Sequence, residues 1–167
     1  MARNALREEL MEPSDEGTGP DPLPPLVEQL KQDIYTYAPV EATEANLQAI
    51  LTLRHPLAAR ELLLVLDDPR PFRDHMWLIV HALESLPKRR FLEALAETFG
   101  DSSRYWTDTI LGRLVESPAD WGQFLAIAAD RADSHGRRAI SGALARIREK
   151  RPELRERCDQ AVARLGL

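Results

Sequence analysis

The chain has 167 residues, 44% of them hydrophobic and 29% charged, and a formal net charge of -5. That length suits one domain with a real core, and the composition is that of an ordinary globular protein. No apolar run approaches the roughly 20 residues a membrane span needs. The N-terminus lacks an apolar signal region, and the lone Cys158 rules out an internal disulfide. The expected location is the cytoplasm.

In chain order, residues 3–11 read as a short helix. The acidic, Pro- and Gly-rich stretch from Glu12 to Pro22 follows. Residues 1–22 are therefore expected to form a mobile N-terminal segment, and residues 23–167 a single all-helical domain. Leu26, Val27, Leu30 and Ile34 form the first helical stripe. Thr43 is placed to cap a segment carrying Leu47, Ile50, Leu51 and Arg54, and Pro56 opens a helix through Leu66. Asp68 precedes a long helix from about Phe72 to Leu86. The pair Asp67-Asp68 falls at the turn, where capping is its expected job.

Pro87 opens a helix that Gly100 is expected to end by taking positive φ. Asp101 or Ser102 caps the next, which runs to Glu116. Ser117-Pro118-Ala119-Asp120 is a capping-box-like start, with Asp in place of the usual Glu. Asp133 or Ser134 begins the helix to about Lys150, and Pro152 opens the last. No alternating period-two run is present, so strands are not expected.

Four prolines, Pro56, Pro87, Pro118 and Pro152, recur at intervals of 31, 31 and 34 residues. Proline is best tolerated at the first helical position, where its missing N–H has no partner to lose. Recurrence at this length predicts an all-α fold of stacked antiparallel α-hairpins, a HEAT-like α-solenoid or right-handed superhelix. Positions six and ten after the proline are Leu62 and Leu66, Phe124 and Ala128, and Cys158 and Val162. The Pro87 unit instead places Phe91, Leu92, Leu95, Ala96 and Phe99 in its stripe. The competing arrangement is a compact irregular helical domain. Stacked arrays offer a long face to a partner, which points to binding over catalysis.

Charge is divided unevenly. Residues 1–130 carry 22 acidic and 12 basic side chains, and residues 131–167 carry 5 and 10. An acidic body steers basic partners, whereas a basic tail suits nucleic acid; both signs also coat ordinary helical surfaces. The arginines of the tail, among them Arg137, Arg138, Arg146, Arg148 and Arg151, support an alternative reading as a HEAT-like nucleic-acid binder. A generic protein-interaction scaffold is a further alternative.

No motif for chemistry stands out. The four histidines have no metal-ligand spacing, there is no Gly-rich phosphate loop, and no serine sits in a nucleophile elbow. Neither a catalytic residue nor a cofactor or metal is expected. Gly112, Gly122 and Gly142 fall inside helices, where they are expected to permit close packing.

The most unusual segment is Asp74-His75-Met76-Trp77-Leu78-Ile79-Val80-His81-Ala82-Leu83-Glu84. At about 100° per residue, Met76, Ile79, Val80, Leu83 and Leu86 make a core stripe. Asp74, Trp77, His81 and Glu84 share a different face. Further on, Trp106, Ile110 and Leu114 form a core stripe, with Tyr105, Asp108 and Gly112 opposite; Trp121 reads as core. Trp77 is either an interface anchor, as tryptophan often is, or a residue packed on the next repeat, with His81 and Glu84 bonding locally. The candidate partner-binding residues are Asp74, Trp77, His81, Glu84, Tyr105 and Asp108.

The run Met76 to Leu86, with Tyr105-Trp106 and then Ile110-Leu111-Gly112-Arg113-Leu114, resembles a family of all-helical bacterial immunity proteins. The resemblance covers roughly residues 45–140. It departs from the family pattern at Val115-Glu116-Ser117, where an asparagine-serine is usual. The family belongs to polymorphic or contact-dependent toxin systems. The resemblance implies a cytoplasmic protein that neutralises a cognate toxin domain by direct one-to-one binding, without catalysis, membrane, small-molecule substrate or nucleic acid. An acidic surface complements the basic clefts of toxins that act on nucleic acid.

Overall fold

The computed structural model describes residues 20–67 and 73–166. Within them run α1 (Leu23–Tyr35), α2 (Val40–Thr52), α3 (Ala58–Val65), α4 (Arg73–Ser85), α5 (Lys88–Thr98), α6 (Arg104–Glu116), α7 (Pro118–Arg131), α8 (Ser134–Lys150) and α9 (Arg155–Leu165), with a 3-10 turn at Pro152–Leu154. No strand is present among the described residues. The fold is all-α. The expected helix at residues 3–11 and the Asp68 cap lie outside the described residues, as does most of the N-terminal segment.

Helix packing follows an alternating pattern. α1 packs on α3, α3 on α5, α5 on α7 and α7 on α9; α2 packs on α4, and α6 on α8. Neighbours in sequence also pack, α1 on α2 and α8 on α9 most extensively. The core is one continuous cluster in which Leu62, Leu63, Phe91, Leu92 and Phe124 are essentially inaccessible. Each such side chain contributes about 1.5–3 kcal/mol relative to exposure. Most positions of the apolar stripes read from the sequence are buried: Val27, Leu30 and Ile34 on α1, Met76, Ile79, Val80 and Leu83 on α4, and Trp106, Ile110 and Leu114 on α6; Leu26 and Leu86 are only partly buried, and Leu23 takes the further buried place on α1. Trp121 is also buried, stacked on Phe124 at 5.8 Å.

Several local expectations are corrected. Of the four prolines only Pro118 takes the first position of an α-helix. Pro152 starts the 3-10 turn before α9, Pro87 is the residue before α5, and Pro56 lies in the turn before α3. Thr43 does not cap; it is buried inside α2, where its hydroxyl meets His75 Nδ1 at 2.8 Å. The residue before α6 is Ser103, not Asp101 or Ser102, and Ser117 makes no side-chain cap at α7. Asp120 instead accepts from Lys88 Nζ at 3.1 Å. Asp133 does cap α8, accepting from the Gly136 N–H at 2.7 Å.

Positive φ falls on Tyr37 (57°) and Arg54 (50°), just beyond α1 and α2, and not on Gly100. Gly100 is small for another reason: an added Cβ would lie 2.2 Å from the His135 ring, whose Nε2 pairs with the Gly100 carbonyl at 3.0 Å. The expected packing role of the helical glycines also fails at two positions. A Cβ on Gly112 or Gly122 would find nothing within 4 Å, whereas one on Gly142 would meet Arg146 Nη1 at 3.2 Å.

Candidate functional site

α4 and α6 present the candidate residues because each is buried along one stripe and leaves a flank outside the core. On α4, His75 and Met76 turn inwards while Asp74 and His81 are exposed and Trp77 and Glu84 are half-buried. On α6, Trp106 is buried with its Nε1 donating to the Asp67 carbonyl at 2.8 Å. Asp67 also accepts from the Tyr35 hydroxyl at 2.9 Å, so it ties α1, α3 and α6 together instead of only capping.

The aromatic residues form a chain across this flank. Trp77 meets Trp106 edge-on at 5.4 Å and His81 at 5.9 Å, and Tyr105 meets Trp106 edge-on at 5.1 Å. Edge-to-face contacts of this kind align a ring's positive edge with its neighbour's negative face. The Arg113 guanidinium sits 6.0 Å from the Trp77 ring centroid, at the outer range of a cation–π contact. Trp77 thus packs on the next even-numbered helix, as one of its two sequence readings had it, and keeps part of its surface outside.

Two of the three candidate carboxylates, Glu84 and Asp108, are engaged. Arg113 grips Glu84 through Nε and Nη2 at 2.7 and 3.0 Å. His81 Nδ1 stands 3.6 Å from the same carboxylate, an ion pair when the imidazole is protonated. Arg146, from α8, grips Asp108 through Nε and Nη2 at 2.6 and 2.7 Å. The hydrogen bonds that Arg113 and Arg146 donate to Glu84 and Asp108 raise the pKa of both arginines above the ordinary guanidinium value. These pairs make the flank of α4 and α6 charge-compensated, not the acidic face the sequence suggested.

Between α6 and α8 lies a groove of about 370 Å³, with Trp77 and Tyr105 on one side, Arg146 and Lys150 on the other and Gly112 in its lining. Trp77, Tyr105 and Asp108 line it together; His81 and Glu84 adjoin it through Trp77 and Arg113. Asp74 is exposed at the start of α4 and is not among the lining residues. The sequence brought Arg113 only into the family-like run and Arg146 only among the nucleic-acid candidates; their hold on the two carboxylates, from 29 and 38 residues away, was not legible. No fixed spacing signals such a pair.

The arginines that suggested nucleic-acid binding are mostly occupied internally. Arg137 donates to the Ala132 and Ala129 carbonyls at the end of α7. Arg148 pairs with Asp159 at 2.9 Å, and Arg151 pairs with Glu116 and with Glu153. Among the described residues no group of three or more His, Cys, Asp or Glu side chains is placed to hold a metal ion. None of the described helices is long and apolar enough to cross a membrane.

No curated protein and no solved structure matches the chain. The family model of Immunity protein 30 matches residues 31–124, from within α1 into α7. That span is more than half of the chain and contains all six candidate residues, whereas Arg146 and Lys150 lie beyond it. The chain therefore belongs to the Immunity protein 30 family.

Proposed function

We propose that this protein neutralises a cognate bacterial toxin domain in the cytoplasm by binding it one to one, without catalysis, and covering its active or substrate-binding surface. The observation that carries the placement is the groove beside α6, where two aromatic side chains, Trp77 and Tyr105, border a helical position with open space above Gly112. Aromatic side chains held by packing lose little entropy on binding, and interface hot spots are enriched in tryptophan, tyrosine and arginine. The paired arginines keep the groove's shape while leaving Trp77 and Tyr105 reachable. Asp74, Trp77, His81, Glu84, Tyr105 and Asp108 remain the proposed contact set, with Glu84 and Asp108 acting through their hold on Arg113 and Arg146.

The alternating contacts of odd- and even-numbered helices support a HEAT-like stack of α-hairpins for the scaffold. In such a stack the even-numbered helices supply one continuous surface, along which Asp74, Trp77 and Tyr105 are spread.

The test uses a toxin domain encoded beside this protein, co-expressed with it and scored by growth rescue and by a one-to-one complex in size-exclusion chromatography. Tyr105→Ala and Gly112→Gln are expected to weaken the complex by about 2 kcal/mol or more, roughly 30-fold, with the helical CD spectrum unchanged. Asp74→Arg is expected to weaken it less. Full protection and unchanged affinity for both Tyr105→Ala and Gly112→Gln would place the interface elsewhere.

A further inference from the structure

We propose that a second cleft, away from the α6 and α8 groove, binds a small phosphate-bearing molecule with an apolar body. It measures about 570 Å³ and lies where α2 and α4 end and α3 and α5 begin. Pro56 and Pro87, two of the periodic prolines, line it, so it sits between equivalent corners of consecutive helix pairs. Its volume falls in the range of small-molecule sites, about 300–1,000 Å³.

The lining combines two chemistries. Leu51, Ala59 and Leu86 supply an apolar wall, and Arg54 and Arg90 supply two positive charges. Among the described residues, no carboxylate lines the cleft. Five arginines elsewhere, Arg113, Arg131, Arg146, Arg148 and Arg151, by contrast face a carboxylate. Arg90 instead donates Nη1 to the Arg54 main-chain carbonyl at 3.3 Å, which fixes the Arg90 guanidinium against the backbone at the end of α2. His55, also in the lining, is already engaged: its Nδ1 accepts from the Leu57 N–H at 3.2 Å, and its Nε2 lies 3.5 Å from Asp21.

Charge arithmetic favours phosphate. A phosphomonoester carries about -1.5 to -2 near neutral pH, which two guanidinium groups match, and arginine binds phosphate through two parallel hydrogen bonds. Helix ends do not decide the sign here. The positive first turns of α3 and α5 are offset by the negative last turns of α2 and α4, so the side chains set the potential. Arg54 also occupies the left-handed region at φ 50°, a conformation glycine would adopt with less strain.

Phenyl phosphate titrated into the full chain, with amide shifts followed by NMR, tests the proposal; inorganic phosphate, benzoate and benzyl alcohol are run beside it. The expected result is saturable binding of phenyl phosphate with shifts centred on residues 51–59 and 85–90. Inorganic phosphate should bind more weakly, lacking the apolar body, and benzyl alcohol should not bind. Arg54→Gln and Arg90→Gln should each weaken phenyl phosphate roughly tenfold or more, and Arg90→Lys less, because a lysine keeps the charge but not the paired geometry. Arg104→Gln, at the exposed start of α6, should leave binding unchanged. The proposal is overturned if phenyl phosphate does not saturate, if benzoate binds as tightly, or if both glutamine variants retain wild-type affinity. No toxin enters this measurement, so its outcome is separate from that of the neutralisation assay.

Discussion

Gly112→Ala separates the roles of space and of binding in the candidate site. Gly112 lies in the middle of α6, and a Cβ built on it meets no heavy atom within 4 Å. With no clash to relieve, the change in folding free energy reduces to helix propensity, which favours alanine by about 0.8–1.0 kcal/mol. For a domain of this size that is a rise in Tm of about 2–4 °C. Gly122→Ala on α7, where a Cβ also meets nothing, should give the same increment, and the double variant roughly their sum. Gly142→Ala should not, because its Cβ presses at 3.2 Å on Arg146 Nη1, whose guanidinium holds Asp108. Urea denaturation of the three variants reads these values directly. A loss of stability in Gly112→Ala would refute the reasoning, since the position would then be a packed contact and the groove beside it would not be open.

Two further expectations follow from charge and burial. Asp108→Ala removes the partner of a partly buried Arg146 and should cost about 2 kcal/mol in urea denaturation, whereas Asp108→Ala together with Arg146→Met should recover part of that loss; a double-variant loss equal to the sum of the Asp108→Ala and Arg146→Met losses would show that the pair carries no coupling. Burial raises the pKa of the Cys158 thiol above its ordinary value, so the reactive thiolate is depleted, and DTNB should label it slowly in the folded protein and rapidly in urea. Fast labelling without denaturant would show that α9 opens locally.

The helices and their buried stripes were legible because hydrophobic periodicity is a property of neighbouring residues. Val27, Leu30 and Ile34, or Phe91, Leu92, Leu95 and Phe99, announce a core face whatever packs against it. Caps were less legible. Thr43, which has the chemistry of a cap, is instead buried against His75, 32 residues away. The glycines misled for a similar reason: a small residue in a helix signals either close packing or open space, and only the neighbours distinguish Gly142 from Gly112.

The aromatic and carboxylate content of the α4 flank was visible in the linear chain, because Trp77, His81 and Glu84 lie one turn apart. Its electrostatic character was not. Glu84 and Asp108 look acidic in sequence and are held by Arg113 and Arg146 in the folded chain, while the arginine-rich end, read as a basic tail, spends Arg137, Arg148 and Arg151 on internal contacts. Arg54 and Arg90, 36 residues apart, carried no signal at all until two helix corners brought them into one cleft. By itself the sequence determined where the helices run and which faces they bury, because those follow from local spacing. Which charges are neutralised, and where open grooves remain between helices, was decided by tertiary packing, because that depends on side chains meeting across separations no local pattern encodes.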